Sequence, residues 1–158
     1  MLIQPAATTS TPEVALAIIT QGQQWLLQLR DDLDWILYPG KWGLFGGHLE
    51  PDETPLAALY RELQEEIGYY PSAATPLWTE TEERVTRYLF HVPLTCELST
   101  LRLGEGQDFC LVDAAAIAQG RVFSPRLQQE RAIGAPHQQI LLRFQGEYSH
   151  KLAPVIRA

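Results

Sequence analysis

Apolar positions recur along this chain with two different periods. Val14 to Thr20 and Trp25 to Leu29 are β-prone runs separated by Gln21-Gly22-Gln23, a spacing that predicts a hairpin. Asp31 to Lys41 mixes acids with aromatics and contains Pro39-Gly40, a turn signal, so it reads as a loop. Trp42 to Leu49 is short and apolar but carries Gly43, Gly46 and Gly47, the composition of a strand whose backbone must be closely approached. Leu77 to Thr81 and Val85 to Leu94 read as further strands, the second long enough to be central, and Phe109 to Val112 as one more.

The helical period is clearest after Thr54, an N-cap followed by Pro55 at the first helical position, and ends at Gly68. Leu56, Leu59, Leu63 and Ile67 form one apolar stripe, and Glu62, Glu65 and Glu66 are expected to cluster roughly 120° away from it. Asp113 to Ala118 predicts a short capped helix, and Pro136 to Phe144 a final one with Ile140, Leu141 and Phe144 facing inward. Strands with helices inserted between them give an α/β sandwich with a mixed β-sheet over residues 13–158, preceded by a flexible leader over residues 1–12.

Charge narrows the function. The chain has 158 residues with 19 acids against 12 bases, a net charge of −7, which argues against a partner with a long phosphate backbone. Two widely spaced cysteines, Cys96 and Cys110, form no redox or zinc motif and read as buried thiols. No apolar run is long enough for a bilayer and no secretory signal opens the chain, so the expected location is the cytoplasm, with no membrane partner.

Carboxylates at i, i+3 and i+4 on one helix face repel each other, and a hard divalent cation, which prefers oxygen ligands and shares them with phosphates, would offset that repulsion. Arg61 stands inside this acidic face, where it can pair with Glu65 one turn on or with Glu53 beyond the helix start. Written out, Gly47, five residues, Glu53, seven residues and Arg61-Glu62-Leu63-Gln64-Glu65-Glu66-Ile67-Gly68-Tyr69 matches the Nudix box, G-x5-E-x7-R-E-U-x-E-E-x-G-U, at every place but the last. The chain therefore resembles the Nudix hydrolases of the MutT-like type. Tyr69 stands where the box has an aliphatic residue.

That resemblance implies an α/β/α sandwich as a single Nudix domain over 13–158 and cleavage of a nucleoside diphosphate linked to another moiety, with Mg²⁺ or Mn²⁺. It implies Glu62 and Glu66 as principal metal ligands, Glu65 as a lesser one, the Gly46 carbonyl as another, and Glu53 and Arg61 as orienting groups. Glu105-Gly106-Gln107 resembles an E-G-Q of MutT-like members and makes Glu105 a further metal or catalytic candidate, against its reading as a surface turn. The general base is left open among Glu62, Glu65 and Glu105. Gly47, His48, Trp35 and Tyr38 are candidate substrate contacts, the aromatic ones by stacking on a base.

Substrate signatures of the family are missing. Arg84 stands where ADP-ribose-selective members carry a proline, Phe45 replaces a proline often found before the glycine pair, and the chain has no asparagine to serve as the MutT-like base reader. A small nucleotide is the expected partner, a nucleoside triphosphate or a nucleotide sugar, with room for a homodimer. An RNA 5′-end pyrophosphohydrolase is the alternative, since residues 121–158 hold six bases against two acids. A non-catalytic nucleotide-sensing regulator is the other, although no box carboxylate is missing.

Overall fold

The computed structural model describes residues 11–152. The first ten residues of the expected leader lie outside the described residues. Strand β1 (Glu13–Gln21) holds the run Ala15 to Ile19, buried on both faces, which is the pattern of a strand covered by helices on either side. It turns at Gly22, whose φ of 60° favours glycine, into β2 (Gln24–Leu29), forming the expected antiparallel hairpin.

The expected strand Trp42 to Leu49 divides in two. β3 (Trp42–Gly43) pairs with β2, and β4 (Phe45–His48) crosses over to pair with the first half of β1. Gly46 makes the change of partner feasible, because it has φ 134° and a Cβ there would lie 2.0 Å from the Ala15 carbonyl oxygen. β5 (Thr75–Glu82) and β6 (Val85–Pro93) form a hairpin closed by Glu83 and Arg84, both at positive φ, as a two-residue turn with right-handed strand twist requires. β6 runs parallel to β1 along nearly its whole length, whereas the other strand pairs of the sheet are antiparallel, so the sheet is mixed. β7 (Asp108–Val112) pairs with β2.

Helix α1 (Pro55–Ile67) covers one face of the sheet. Thr54 accepts a hydrogen bond from the Ala57 N–H, and Gly68 closes the helix in the left-handed region. The apolar layer here joins Ala15, Ala17, Ile19 and Phe90 to Leu59, Leu63 and Ile67. α2 (Ala114–Gln119), capped by Asp113, and α3 (Ala135–Glu147) cover the other face, where Leu16, Ile18 and Leu89 meet Ile140, Leu141 and Phe144. Tyr69 fills the aliphatic place of the box: its ring is buried and its hydroxyl donates to the Pro93 carbonyl at 2.9 Å.

Several expectations need correction. Leu56 remains 39% exposed, because burial in α1 begins only two residues later, at Ala58. Trp42 is fully buried with its indole N–H on the Val122 carbonyl. Cys96 and Cys110 are free but only half-buried; Cys110 lies on β7, which pairs with β2 alone in the main sheet. The hairpin β8 (Arg121–Ser124) and β9 (Gln129–Ala132) was not foreseen, since its short strands expose Arg121, Phe123, Gln129 and Glu130 and show little apolar signal.

Candidate active site

A cleft of about 450 Å³ opens where β4, the C-terminal half of α1 and the loop around Glu105 meet. Gly46, Gly47, His48, Glu62, Glu65, Glu66 and Glu105 all border it, so most residues singled out in the sequence converge. Tyr38 borders it as well, but Trp35 is 80% exposed and is not among the residues lining it. Glu53 and Arg61 stand behind the cleft as support.

Arg61 is committed to that support. Its Nε and Nη2 donate to both oxygens of Glu53 at 2.9 Å, its Nη1 donates to Glu62 Oε1 at 2.9 Å, and its Nη2 also reaches the His48 carbonyl. Glu65 is farther away, at 3.5 Å, so of the two partners proposed for Arg61 the bidentate one is Glu53. The Arg61 hydrogen bond and the Glu50 N–H hold the Glu53 carboxyl down to about 2.

Glu66 departs from the expected anionic face. It lies seven residues after Leu59, which at 100° per residue is about 20° short of two full turns, so it points with the apolar stripe towards the sheet. It is only 2% exposed and accepts the Gly46 N–H at 2.8 Å. Burial raises its pKa well above the usual carboxylate range, and repulsion from Glu62 and Glu105 adds to that rise. Glu62 is raised too, first by burial and then by Glu65 and Glu105, despite its bond to Arg61. Its carboxylate lies over Gly47 so closely that a Cβ there would be 2.5 Å from the carboxyl carbon.

Glu105 is exposed, yet its loop is tied down on two sides. The Arg102 and Gly104 N–H groups cap the Ile67 and Glu66 carbonyls at the end of α1, and the Gln107 N–H binds the Leu29 carbonyl at the end of β2. Glu105 is therefore presented to the acidic end of the cleft and is no free surface turn.

Among the described residues, no three His, Cys, Asp or Glu side chains are already gathered as a metal cage. The donor set nevertheless fits a hard divalent cation: all its side-chain ligands are carboxylates, they border one cleft, and their mutual repulsion is what a cation would relieve.

Polar residues that the sequence reading did not single out complete the cleft. His137 accepts the Leu44 N–H on Nδ1 at 2.8 Å, Arg87 is buried on β6, and Gln28 donates to the Glu105 carbonyl. His137 shares the i, i+3, i+4, i+7 stripe of Ile140, Leu141 and Phe144, which is the signal that marked it.

The family model of the NUDIX domain matches residues 10–130, and the chain belongs to this family, the Nudix hydrolases, whose members hydrolyse phosphoanhydride bonds. An RNA pyrophosphohydrolase of Stenotrophomonas maltophilia (strain K279a) is 36% identical over 74 residues, covering 42% of this chain and 32% of that protein. The chain thus spans about a third of the length of that relative. A nucleoside triphosphatase NudI of Enterobacter sp. (strain 638) is 53% identical over 32 residues, 20% of this chain and 23% of that one. Among solved structures, the NUDIX domain of Shewanella oneidensis NrtR complexed with ADP ribose superposes with a TM-score of 0.67 at 18% identity, covering 91% of this chain and 92% of that one. No helix among the described residues is long and apolar enough to cross a membrane.

Proposed function

We propose that this chain is a divalent-cation-dependent pyrophosphohydrolase that cleaves the diphosphate linkage of a small nucleotide, a nucleoside triphosphate or a nucleotide sugar. The observation that carries this reading is the convergence of Glu62, Glu65, Glu66 and Glu105 on one cleft, where burial and mutual repulsion raise the pKa of Glu62 and Glu66 and a bound cation would offset that repulsion. Glu62, Glu66, Glu65, Glu105 and the Gly46 carbonyl would hold the cation, Mg²⁺ or Mn²⁺. When bound, such a cation lowers the pKa of a water and neutralises phosphoryl charge.

The chain's own groups supply placement. Arg61 fixes Glu62, and through Glu53 fixes the loop that carries Gly47 and His48. Glu62, Glu65 and Glu105 are the groups from which a base can take the proton of the attacking water, since each borders the cleft and the more exposed two retain ready access to solvent. His48 and Tyr38 contact the nucleotide from the rim. Residues 13–158 act as one catalytic domain.

The RNA 5′-end reading draws on the Stenotrophomonas relative and shares the same chemistry at the acidic end. A phosphate-release screen over nucleoside di- and triphosphates, dinucleotides, nucleotide sugars and a 5′-triphosphorylated RNA, with Mg²⁺ and with chelator, separates the two. Mg²⁺-dependent release from a small nucleotide is expected. Release from RNA alone, with steep salt dependence, would move the assignment to the RNA end, and no release from any compound would overturn the hydrolase reading.

A further inference from the structure

The end of the cleft away from the carboxylates is built from hydrogen-bond donors that the proposed chemistry does not use. His137 is 7% exposed, and its Nδ1 is occupied by the Leu44 N–H. Burial first, and then Arg30 and Arg87, depress its pKa to about 3, so the ring is neutral. A neutral imidazole whose Nδ1 accepts must carry its proton on Nε2. That Nε2–H meets no acceptor among the described residues, and His137 borders the cleft.

Arg87 is the second donor. Its side chain is 6% exposed, and Nη1 is buried without a hydrogen-bond partner. The nearest carboxylates, Glu80 at 3.6 Å and Glu82 at 4.0 Å, balance its charge but are too far for hydrogen bonds. An unused donor on a guanidinium already neutralised asks for a neutral acceptor more than for another anion. The register places Arg87 opposite Val14, on the face of Leu16 and Leu89, so it shares the α3 side of the sheet with His137.

The other orphan bordering the cleft, Gln28 Oε1, is an acceptor, but Gln28 alternates with Leu27 and Leu29 and so faces the acidic side, where its amide binds the Glu105 carbonyl. Asp31 and Glu83 also border the cleft, but both keep contact with water. The two groups left to the cleft on the α3 side are thus both donors, and of them Arg87 Nη1 is buried. Val14, Leu16 and Leu44 supply apolar wall between them, and the Tyr38 ring stands edge-on to His137 with centroids 5.9 Å apart.

We propose that His137 and Arg87 form a donor-only corner that reads the oxo group of a nucleobase, so that the chain selects guanine and uracil nucleotides over adenine and cytosine nucleotides. On the major-groove edge guanine presents O6 and N7, and uracil presents O4, all acceptors, whereas adenine N6 and cytosine N4 present donors. An amino group facing the His137 Nε2–H would oppose donor to donor and leave the buried Arg87 donor unpaired, which is how a hydrogen-bonding pocket rejects an analogue. This rests on the reading that the cleft holds a nucleotide.

The test uses nucleoside monophosphates, which contain no phosphoanhydride, so binding is read apart from turnover. Isothermal titration of the full chain with GMP, UMP, AMP and CMP is expected to give at least about 10-fold tighter binding of the oxo pair. His137→Gln, whose amide rotates to accept or donate, and Arg87→Leu, which removes the second donor without touching the Leu44 contact, are each expected to bring that ratio towards one. Equal affinity for all four in the wild-type chain, no binding of any, or an unchanged ratio in folded variants of both residues would overturn the proposal. Oxo-selective binding without release of phosphate from any compound in the screen would leave it standing while the hydrolase reading fell.

Discussion

The two faces of the sheet solve opposite electrostatic problems. On the α1 face, carboxylates are held close together and partly dry, so burial and mutual repulsion lift Glu62 and Glu66 above the usual range. On the α3 face two buried histidines, His91 and His137, are pushed down by burial to about 4 and about 3. Both sets resist becoming charged, but they respond to acid with opposite sign. A carboxyl with a raised folded pKa favours the folded state as the pH falls through that value. A histidine with a lowered folded pKa favours the unfolded state as the pH falls below 6.5, where the unfolded ring takes up a proton that the folded one refuses. The sheet keeps the sets apart, since α1 covers one of its faces and α3 the other.

The sharpest way to break this contrast is Glu66→Gln. The amide oxygen keeps the Gly46 N–H satisfied while the buried charge is removed. Activity on whatever compound the screen identifies is expected to fall by about 10²-fold or more, the scale of losing several kcal/mol of charge stabilisation. The metal-free melting temperature should rise, by about 2–4 °C for each kcal/mol relieved. The margin over wild type should grow as the pH rises above the ordinary carboxylate value of 4.5, because only the wild-type chain carries the Glu66 carboxyl, whose ionisation burial opposes. A variant with wild-type turnover would remove Glu66 from the site.

The adjacent glycines offer a finer division on the same face. Gly46→Ala places a Cβ against backbone at positive φ, and is expected to lower the melting temperature by several degrees for a strain of about 1–3 kcal/mol. Gly47→Ala first meets the side-chain end of Glu62 and not backbone, so it should lower the melting temperature less than Gly46→Ala while displacing that carboxylate from Arg61 and reducing turnover, by as much as about 10²-fold. Parallel melting and rate measurements on the two variants check this, and an active Gly47→Ala enzyme would show that the position of Glu62 over the glycine is incidental.

The smallest effect concerns the α3 face. His91 accepts or donates one hydrogen bond with Thr20 Oγ1 at 2.7 Å and stacks on Phe144. His91→Gln should flatten the loss of stability between pH 6.5 and pH 4 that the depressed histidine contributes. Melting curves at half-unit steps would show it, and an identical pH slope in variant and wild type would mean that the ring is already protonated in the folded chain.

These regions also differ in how far the sequence disclosed them. The Thr54, Pro55 and Gly68 signals set both ends of α1, and the exact spacing from Gly47 to Glu66 assembled the acidic end, because those residues act locally through one loop and one helix. Glu66 was misplaced by an angular reading that grouped it with Glu62 and Glu65, although seven residues from Leu59 returns it to the buried side. The donor end was illegible for a different reason: Arg87 and His137 are 50 residues apart and border one cleft only because β6 pairs in parallel with β1 while α3 covers the same face. The β8–β9 hairpin escaped because exposed Arg121 and Phe123 erase the alternation that marks a strand.

The double tether of the Glu105 loop carries a consequence for how this chain tolerates change. Arg102, Gly104 and Gln107 bind the helix end and the strand end through main-chain groups, and a Cβ on Gly104 would strike the Glu65 carbonyl at 2.2 Å. The segment therefore acts as a ruler: its length between residues 102 and 107 sets the reach of Glu105 towards α1. Added or deleted residues there would shift the carboxylate along the cleft.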